Sequence, residues 1–167
     1  MTLIKSISGI RGTIGGFPGD NLTPLDVVKY ASAYGVWLKS RSKGKIKVVV
    51  GRDARISGLI VQNLVESSLQ SLGVNVIDIG LSTTPTVEIA VPIEKASGGI
   101  ILTASHNPKQ WNALKLLNEK GEFVSVKDGN EILRIAEKEN FEYTNVDDLG
   151  TSVQKDYLHE HINAILT

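Results

Sequence analysis

Cysteine is absent from the 167 residues, so disulfide bonds, thiolate zinc sites and cysteine nucleophiles are excluded. Long hydrophobic runs are also missing. No apolar stretch approaches the roughly 18 residues that span a bilayer, and the N-terminus lacks the apolar core of about 7–15 residues typical of a signal peptide. We therefore expect a cytoplasmic protein with no membrane partner. With 41% hydrophobic and 22% charged residues and no low-complexity tract, the composition is that of a folded globular protein.

Net charge is zero, but the charges are unevenly distributed along the chain. Residues 1–60 hold ten basic and three acidic side chains, whereas residues 117–167 hold five basic and eleven acidic ones. A basic N-terminal third can bind nucleic acid or phosphorylated ligands, although the cluster in residues 39–47 also suits the end of a helix, where cations offset the helix dipole. We favour the helix-end interpretation, because aromatic residues, at 5%, are not interleaved with the basic ones as in nucleic acid binding proteins.

Short apolar strands alternate with amphipathic helices through the first two thirds of the chain. Strands are predicted at residues 46–50, 74–79 and 99–103, each with apolar residues for both faces of a sheet. Helices are predicted to begin at Thr23-Pro24, to cover residues 58–72, and to begin again at Thr84-Pro85 with a kink or an end at Pro92. Strands of this kind, linked by helices, indicate a three-layer α/β/α fold with a mixed, mainly parallel sheet.

The pattern changes after the third strand. Residues 114–117 follow it too closely for a helical crossover and are expected to form an edge or antiparallel strand. Residues 127–140 have the spacing of an amphipathic helix, residues 141–152 have the composition of a linker, and apolar side chains recur at helical spacing from Val153 onward. We therefore divide the chain into a domain of residues 1–150 and a helix of residues 151–167. That helix either folds back onto the domain or leads into a second one.

The functional site is predicted at one rim of the sheet, because ligands of open α/β sheets bind beyond the carboxyl ends of the parallel strands. Residues 51–58, 80–85 and 103–108 leave such ends, and residues 8–12 form a further basic segment flanked by glycine. Together these segments would bring hydroxyl, imidazole, amide and guanidinium groups to the same rim.

Ser105 is the most informative residue of these loops, because it follows directly from a buried strand. A Ser-His-Asp hydrolase would need a histidine that accepts the serine proton. His106 is the next residue and would normally point elsewhere, and the other two histidines, His159 and His161, lie in the terminal helix. We therefore reject the hydrolase. The simplest alternative is that Ser105 and Asn107 only shape a turn before the following proline.

The whole string of residues 103–108, Thr-Ala-Ser-His-Asn-Pro, resembles the active-site serine loop of the α-D-phosphohexomutases, the family of phosphoglucomutase, phosphomannomutase and phosphoglucosamine mutase. Three further segments are similar to that family in the same order: Ser-Gly-Ile-Arg-Gly at 8–12 to its arginine loop, Gly-Arg-Asp-Ala-Arg-Ile-Ser-Gly at 51–58 to its GRDxRxSG segment, and Trp-Asn-Ala-Leu-Lys at 111–115 to its YNGxK segment. Four ordered matches make the resemblance specific and replace the turn-only interpretation.

The resemblance implies a role for each matching residue. Ser105 would carry the phosphoryl group that passes to the sugar and is later returned. Arg11 and Lys115 would act beside it in proton transfer and charge stabilisation. His106 and Asn107 would orient the phosphoryl group or substrate hydroxyls by hydrogen bonding.

Four other residues of these segments are assigned to substrate binding or loop positioning: Asn112, Arg52, Asp53 and Arg55. For the last three we prefer an ion-pair network behind the site to direct substrate contact. Ala113 departs from the glycine that the family usually has, which leaves the backbone geometry before Lys115 open. Without the motif, Lys115 would be taken as a solvated strand residue.

The resemblance also implies that much of the enzyme lies outside these 167 residues. The full enzymes that the sequence resembles have four domains. The second domain supplies a DGDxDR loop that holds Mg²⁺ against the phosphoserine. The third domain recognises the sugar, and the fourth binds the substrate phosphate. Residues 128–130, Asp-Gly-Asn, begin like the metal loop but lack its later aspartates. We therefore expect Ser105, through its phosphoryl oxygen, to be the Mg²⁺ ligand of this chain, and we expect negligible mutase activity from the chain alone.

The expected reaction interconverts hexose 6-phosphate and hexose 1-phosphate through a hexose 1,6-bisphosphate, which is an intermediate or activator. Residues 103–104 and 111–113 look more like the glucosamine phosphate subgroup than like animal phosphoglucomutases, although phosphoglucomutase and phosphomannomutase stay open. The expected partners are a phosphosugar and the remaining domains of the same polypeptide, without nucleic acid.

The alternative is a non-catalytic module of the same fold that binds phosphosugars or phosphoproteins. Such a module would end near Thr167, whereas a fragment would continue into a DGDxDR loop.

Overall fold

The computed structural model describes residues 1–7 and 9–167, so Ser8, the first residue of the arginine loop, lies outside the described residues. The strands are β1 (Ile4–Ser6), β2 (Gly9–Thr13), β3 (Lys47–Arg52), β4 (Asn75–Leu81), β5 (Gly98–Leu102), β6 (Trp111–Leu117) and β7 (Ser152–Gln154). The helices are α1 (Pro24–Arg41), α2 (Gly58–Ser71), α3 (Thr84–Ile93), α4 (Val126–Lys138) and α5 (Leu158–Leu166), with a short 3-10 turn at Val146–Asp148.

The strands form one sheet, in the order β1-β2-β6-β5-β3-β4-β7. Strands β5, β3, β4 and β7 are parallel, whereas β6 is antiparallel to both β5 and β2, and β2 is antiparallel to β1. The predicted α/β class with a mixed sheet is confirmed. Of the two expectations for residues 114–117, the antiparallel strand is correct and the edge position is wrong, because β6 lies between β5 and β2.

Helices cover both faces of the sheet. Thr23 and Asp26 form a capping box, and Pro24 occupies the first turn, so α1 starts where the sequence predicts. Helices α1, α2 and α4 pack over the face that carries Val48, Val50, Ile100, Leu102 and Leu114, whereas α3 packs over the face of Val49, Ile101 and Leu117. The alternation of side chains along each strand divides the apolar core into these two layers.

The C-terminal part differs from the sequence-based expectation. Residues 152–154, expected to end a linker and start a helix, form β7, which pairs in parallel with β4. Backbone hydrogen bonds from Val76 N to Thr151 O (2.7 Å) and from Lys155 N to Asp78 O (2.9 Å) flank this strand. Three exposed residues give no alternating apolar pattern, so β7 leaves no signal in the sequence. The last helix accordingly begins at Leu158 rather than near residue 153.

Helix α5 contacts α3. The Nδ1 atom of His161 lies 2.9 Å from Oγ1 of Thr86, and Tyr157 is buried in the core layer beneath α3. Ile165 and Leu166 stay exposed on the same helix. The helix therefore touches the domain and also keeps an apolar surface outside it, and the division of the chain at residue 150 stays a prediction. Across residues 1–7 and 9–167, no helix is both long enough and apolar enough to cross a membrane.

Candidate active site

The topology brings the motif-bearing segments to one edge of the sheet. Strands β3 and β5 pair in parallel, so the loops that follow Arg52 and Leu102 leave the sheet side by side. Strand β6 runs back from Trp111 at that same edge, and β2 arrives there because Thr13 pairs with Trp111. Segments from three distant parts of the sequence therefore meet at this edge: β2, the loop after β3, and residues 103–115.

Ser105 and Lys115 form the centre of this site. The Nζ atom of Lys115 donates a hydrogen bond of 2.8 Å to Oγ of Ser105, whose side chain is exposed. Ala113 pairs with Arg11 as an ordinary strand residue, so the missing glycine does not displace Lys115. The close approach of the strands is instead made at Gly9, opposite Lys115, because a Cβ atom on Gly9 would lie 3.0 Å from the Cα atom of Lys115.

The backbone of Ser105 is left-handed, with a φ of 52°. This conformation costs a non-glycine residue on the order of 1–3 kcal/mol and persists when surrounding contacts hold it. Two of those contacts are local: Ser105 N donates to Oγ1 of Thr103 (3.0 Å), and Asn107 N donates to the carbonyl oxygen of Ala104 (3.0 Å). The serine hydroxyl is therefore presented by a strained but fixed turn.

Arg55 holds the serine loop from behind. Its guanidinium nitrogens donate to the carbonyl oxygens of Ser105, Asn107 and Pro108 (2.8 Å each) and of Trp111 (3.0 Å). Its side chain is only 10% exposed. Because four carbonyl groups occupy this guanidinium, it has little capacity left for a substrate.

Asp53 orients Arg55 and contacts the serine loop itself. Its carboxylate accepts hydrogen bonds from the backbone N (3.0 Å) and Nε (3.1 Å) of Arg55, and from Oγ1 of Thr103 (2.6 Å). The hydroxyl of Thr103 thus bridges Asp53 to the amide of Ser105. In the sequence, Thr103 is only the last residue of a predicted strand, with no role of its own. Its spacing of two residues from Ser105 is the one signal that could have suggested this turn.

Arg52 points away from the serine, towards α2. Its Nε donates to Oε1 of Gln62 (2.7 Å), and Nε2 of Gln62 donates to Glu66 (2.6 Å). Burial raises the pKa of Glu66, and the charge of Asp78 adds to this effect, although the hydrogen bond from Gln62 opposes it. The described contacts of Arg52 are therefore with the scaffold.

Asn112 is fully buried and lies on the opposite side of β6 from Lys115. Its Nδ2 donates to Oγ of Ser57 (2.9 Å), and its Oδ1 accepts from the backbone N of Ala113 (2.8 Å). The bond to Ser57 ties β6 to the residue that precedes α2. Because this side chain has no exposed surface, its contacts favour loop positioning over substrate binding, the two roles assigned to Asn112.

Arg11, His106 and Asn107 line the open side of the site. An Nη of Arg11 donates to Oδ1 of Asn107 (3.3 Å), and its guanidinium lies 5.9 Å from the ring centroid of Trp111, a cation–π distance. His106 is exposed beside Ser105. The site therefore presents a lysine, an arginine, an imidazole and an amide around one serine hydroxyl, which suits a negatively charged phosphoryl group.

The described residues do not form a magnesium site on their own. Mg²⁺ prefers several oxygen ligands in octahedral geometry. Among the residues that the structure describes, no group of three or more histidine, aspartate or glutamate side chains could hold a metal ion. The carboxylate of Asp53, which approaches the serine loop, is already engaged by Arg55 and Thr103.

The fold and this geometry define a class of protein: an α/β/α domain that presents a serine hydroxyl, hydrogen-bonded to a lysine, on a loop fixed from behind. Comparison of the sequence with known families identifies which one. The family described as phosphoglucomutase/phosphomannomutase, alpha/beta/alpha domain I, matches residues 3–143. The chain therefore belongs to the phosphoglucomutase/phosphomannomutase family, the α-D-phosphohexomutases, as its motifs indicate.

Individual relatives extend the match beyond residue 143. A Thermococcus kodakarensis protein named "Probable phosphoglucosamine mutase" is 36% identical over 159 residues, which are 95% of this chain and 33% of that protein. Another from the same organism, named "Phosphoglucomutase/phosphomannomutase", is 33% identical over 92% of this chain and 34% of its own length. A solved structure from Thermus thermophilus has a TM-score of 0.82 at 27% identity, and the match covers 99% of this chain and 36% of that one. The chain thus spans about a third of the length of these relatives.

Proposed function

We propose that Ser105 is the phosphoryl carrier of a phosphohexomutase, which interconverts hexose 6-phosphate and hexose 1-phosphate through a hexose 1,6-bisphosphate. The observation that carries this proposal is the 2.8 Å hydrogen bond between Nζ of Lys115 and Oγ of Ser105. Transfer of a phosphoryl group depends on positioned cations and donors more than on covalent chemistry by the protein. A lysine held against the serine oxygen supplies both a positive charge and a proton donor.

The proposed transfer balances around the Oγ atom of Ser105. In the donating direction, a sugar hydroxyl attacks phosphorus, the bond from phosphorus to Oγ breaks, and Oγ takes up a proton as the sugar hydroxyl loses one. In the accepting direction, Oγ loses its proton and attacks a phosphorus of the bisphosphate, the bond from that phosphorus to the sugar oxygen breaks, and the sugar oxygen takes up a proton. Lys115 is the group that holds the proton at Oγ. Between the two steps the bisphosphate turns over in the site, so that the accepting step returns the other phosphate to the serine.

Arg11, Asn107 and His106 would bind the oxygens of the transferring group. The guanidinium of Arg11 is anchored by Asn107 and by the ring of Trp111, so its charge is held at the edge of the site rather than free in solvent. Exposed His106 can donate or accept a hydrogen bond with a sugar hydroxyl. Arg55 and Asp53 act on the loop backbone in this proposal and do not contact substrate.

A phosphorylated Ser105 would offer one oxygen ligand to Mg²⁺, and the others would come from a part of the polypeptide beyond the described residues. For this reason we propose that the 167 residues alone have negligible mutase activity. The two Thermococcus relatives, about three times as long as this chain, carry the names of a phosphoglucosamine mutase and a phosphoglucomutase/phosphomannomutase. We propose a hexosamine phosphate as substrate, with glucose and mannose phosphates as alternatives, and a cytoplasmic location.

The test is the conversion of hexose 1-phosphate by the native polypeptide that contains this chain. In the presence of bisphosphate and Mg²⁺, Ser105→Ala should abolish turnover, whereas Ser67→Ala, which changes an exposed serine on α2, should retain it. Glucosamine, glucose and mannose 1-phosphates compared by kcat/KM assign the sugar. Turnover that survives Ser105→Ala would contradict the proposal. If the wild-type protein binds phosphosugars but shows no turnover, the non-catalytic alternative is established.

A further inference from the structure

The hydroxyl of Thr103 makes two hydrogen bonds in a fixed direction. Its Oγ1 lies 2.6 Å from Oδ2 of Asp53, and the backbone N of Ser105 donates to the same Oγ1 at 3.0 Å. A carboxylate can only accept, so the hydroxyl proton of Thr103 points to Asp53. The lone pairs of Oγ1 are thereby left for the amide of Ser105.

Asp53 is held in turn, so the direction of the Thr103 hydroxyl is not adjustable. The backbone N of Arg55 donates to Oδ1 of Asp53 and its Nε donates to Oδ2. An Nη of the same guanidinium donates to the carbonyl oxygen of Ser105 at 2.8 Å. Both backbone polar groups of Ser105 are thus tied to one network, the N–H through Thr103 and the C=O through Arg55.

We propose that Thr103 is a positioning residue for phosphoryl transfer: its hydroxyl holds Ser105 in the left-handed conformation that places Oγ on Lys115. The proposal rests on the proposed function of Ser105. Thr103 is buried, with 7% of its surface exposed, and it lies two residues from the serine, so it acts through the backbone and not on substrate. Without its hydroxyl, the strained backbone of Ser105, with a φ of 52°, loses its hydrogen bond at the amide, one of the contacts that oppose relaxation of the turn.

Two substitutions separate the hydroxyl from the shape of the side chain. Thr103→Val keeps the branched shape that suits the end of β5 and removes the hydroxyl. Thr103→Ser keeps the hydroxyl and removes the methyl group. Thr86→Val is the matched control, because Thr86 has the same 7% exposure and a hydrogen-bonded hydroxyl, but it lies in α3, where it contacts Thr83 and His161.

The first readout is NMR of the 167-residue chain in solution. A left-handed Ser105 gives an intense NOE between its own amide and Hα protons, and its amide exchanges slowly because of the bond to Thr103. In Thr103→Val we expect that NOE to weaken and the amide exchange of Ser105 to accelerate about tenfold, the equivalent of one hydrogen bond. Thr103→Ser and Thr86→Val should leave both signals as in the wild type.

The second readout is turnover by the native polypeptide. In Thr103→Val, kcat should fall about 100-fold with KM nearly unchanged, because the substrate contacts remain while the serine oxygen is misplaced. Thr103→Ser should restore most of this loss. A Thr103→Val protein whose Ser105 signals and kcat match the wild type would overturn the positioning role. A third outcome separates the two proposals. If the NMR signals of Ser105 change as expected but Ser105 is never phosphorylated in the native polypeptide, the proposed function is overturned and the conformational effect of Thr103 stands.

Discussion

Lys115 and Ser105 lie on different elements, yet the lysine Nζ reaches the serine Oγ at 2.8 Å. The contact exists because β6 turns back antiparallel to β5, so the chain that leaves the sheet after Leu102 re-enters it beside its own exit. The intervening residues form a loop that is tied to Arg55 by three of its carbonyl groups. A charged side chain on a strand thereby faces a hydroxyl on a turn with little freedom in either.

The left-handed backbone at Ser105 predicts that activity and stability conflict at this position. Glycine adopts a φ of 52° without the penalty that other residues carry. The free energy of unfolding of Ser105→Gly should therefore exceed that of Ser105→Ala by about 1 kcal/mol. For a chain of this size that difference corresponds to a melting temperature about 2–4 °C higher. Calorimetry of the two variants measures it. A Ser105→Ala protein as stable as Ser105→Gly would show that the turn is relaxed in solution.

Lys115 should matter for transfer and little for folding. Its side chain is half-buried at the rim, and we expect Lys115→Met to change the free energy of unfolding by under about 0.5 kcal/mol. Phosphoryl transfer to Ser105 in the native polypeptide should slow by about 10²- to 10⁴-fold, the usual contribution of a positioned acid or base. Urea unfolding and rapid-quench phosphorylation measure the two effects. A transfer rate within a few-fold of the wild type would assign the proton at Oγ to another group.

The guanidinium of Arg55 should not be replaceable by an ammonium group. Lysine keeps the charge but cannot reach four carbonyl oxygens and Asp53 together, so Arg55→Lys should lower the free energy of unfolding by about 2 kcal/mol. Urea titration gives this value, and Arg134→Lys on the exposed face of α4 serves as a control expected within about 0.5 kcal/mol of the wild type. Equal stability of the two variants would mean that the loop does not depend on Arg55.

Glu94 links the end of α3 to the segment after β7. We expect its ionisation to contribute to the loss of folding stability at low pH. Burial of Glu94 opposes ionisation, but hydrogen bonds from Lys155 and Tyr157 outweigh it and lower its pKa below the ordinary value of 4.5. A lowered carboxyl pKa contributes stability above the unfolded value, and this contribution disappears as the pH falls through the folded pKa. Glu94→Gln should therefore be less stable at pH 7 and flatten the decline of stability between about pH 5 and pH 3. An unchanged slope in that range would remove Glu94 from the acid transition.

The sequence predicts the parts of the fold that have strong local signals. The capping residue Thr23 marks the start of α1, and the apolar runs of β3, β4 and β5 define most of the parallel half of the sheet. Strands β1, β2 and β7 escape prediction because they are short, exposed or rich in glycine. In β2 only Ile10 and the two glycines are buried, and they are buried by pairing with β6 rather than by any pattern of their own.

The candidate site is predictable in outline and not in detail. Ordered motifs identify Ser105, Lys115 and Arg11 as members of one rim. The role of Thr103 depends on a left-handed turn and on the register that brings Asp53 beside β5, and neither can be read from residue types. Asn112 shows the converse, since a polar residue inside a motif proves to be buried behind the sheet.

The most direct test of the account is the phosphorylation state of Ser105 in the native protein. Intact mass and tryptic mapping of the protein from its source cells give the chain length and the modification of the peptide of residues 96–109. We expect a polypeptide roughly three times as long as this chain, in line with its relatives, with one phosphoryl group on Ser105. A native chain that ends near Thr167, with Ser105 unmodified even after incubation with hexose 1,6-bisphosphate, would contradict the account.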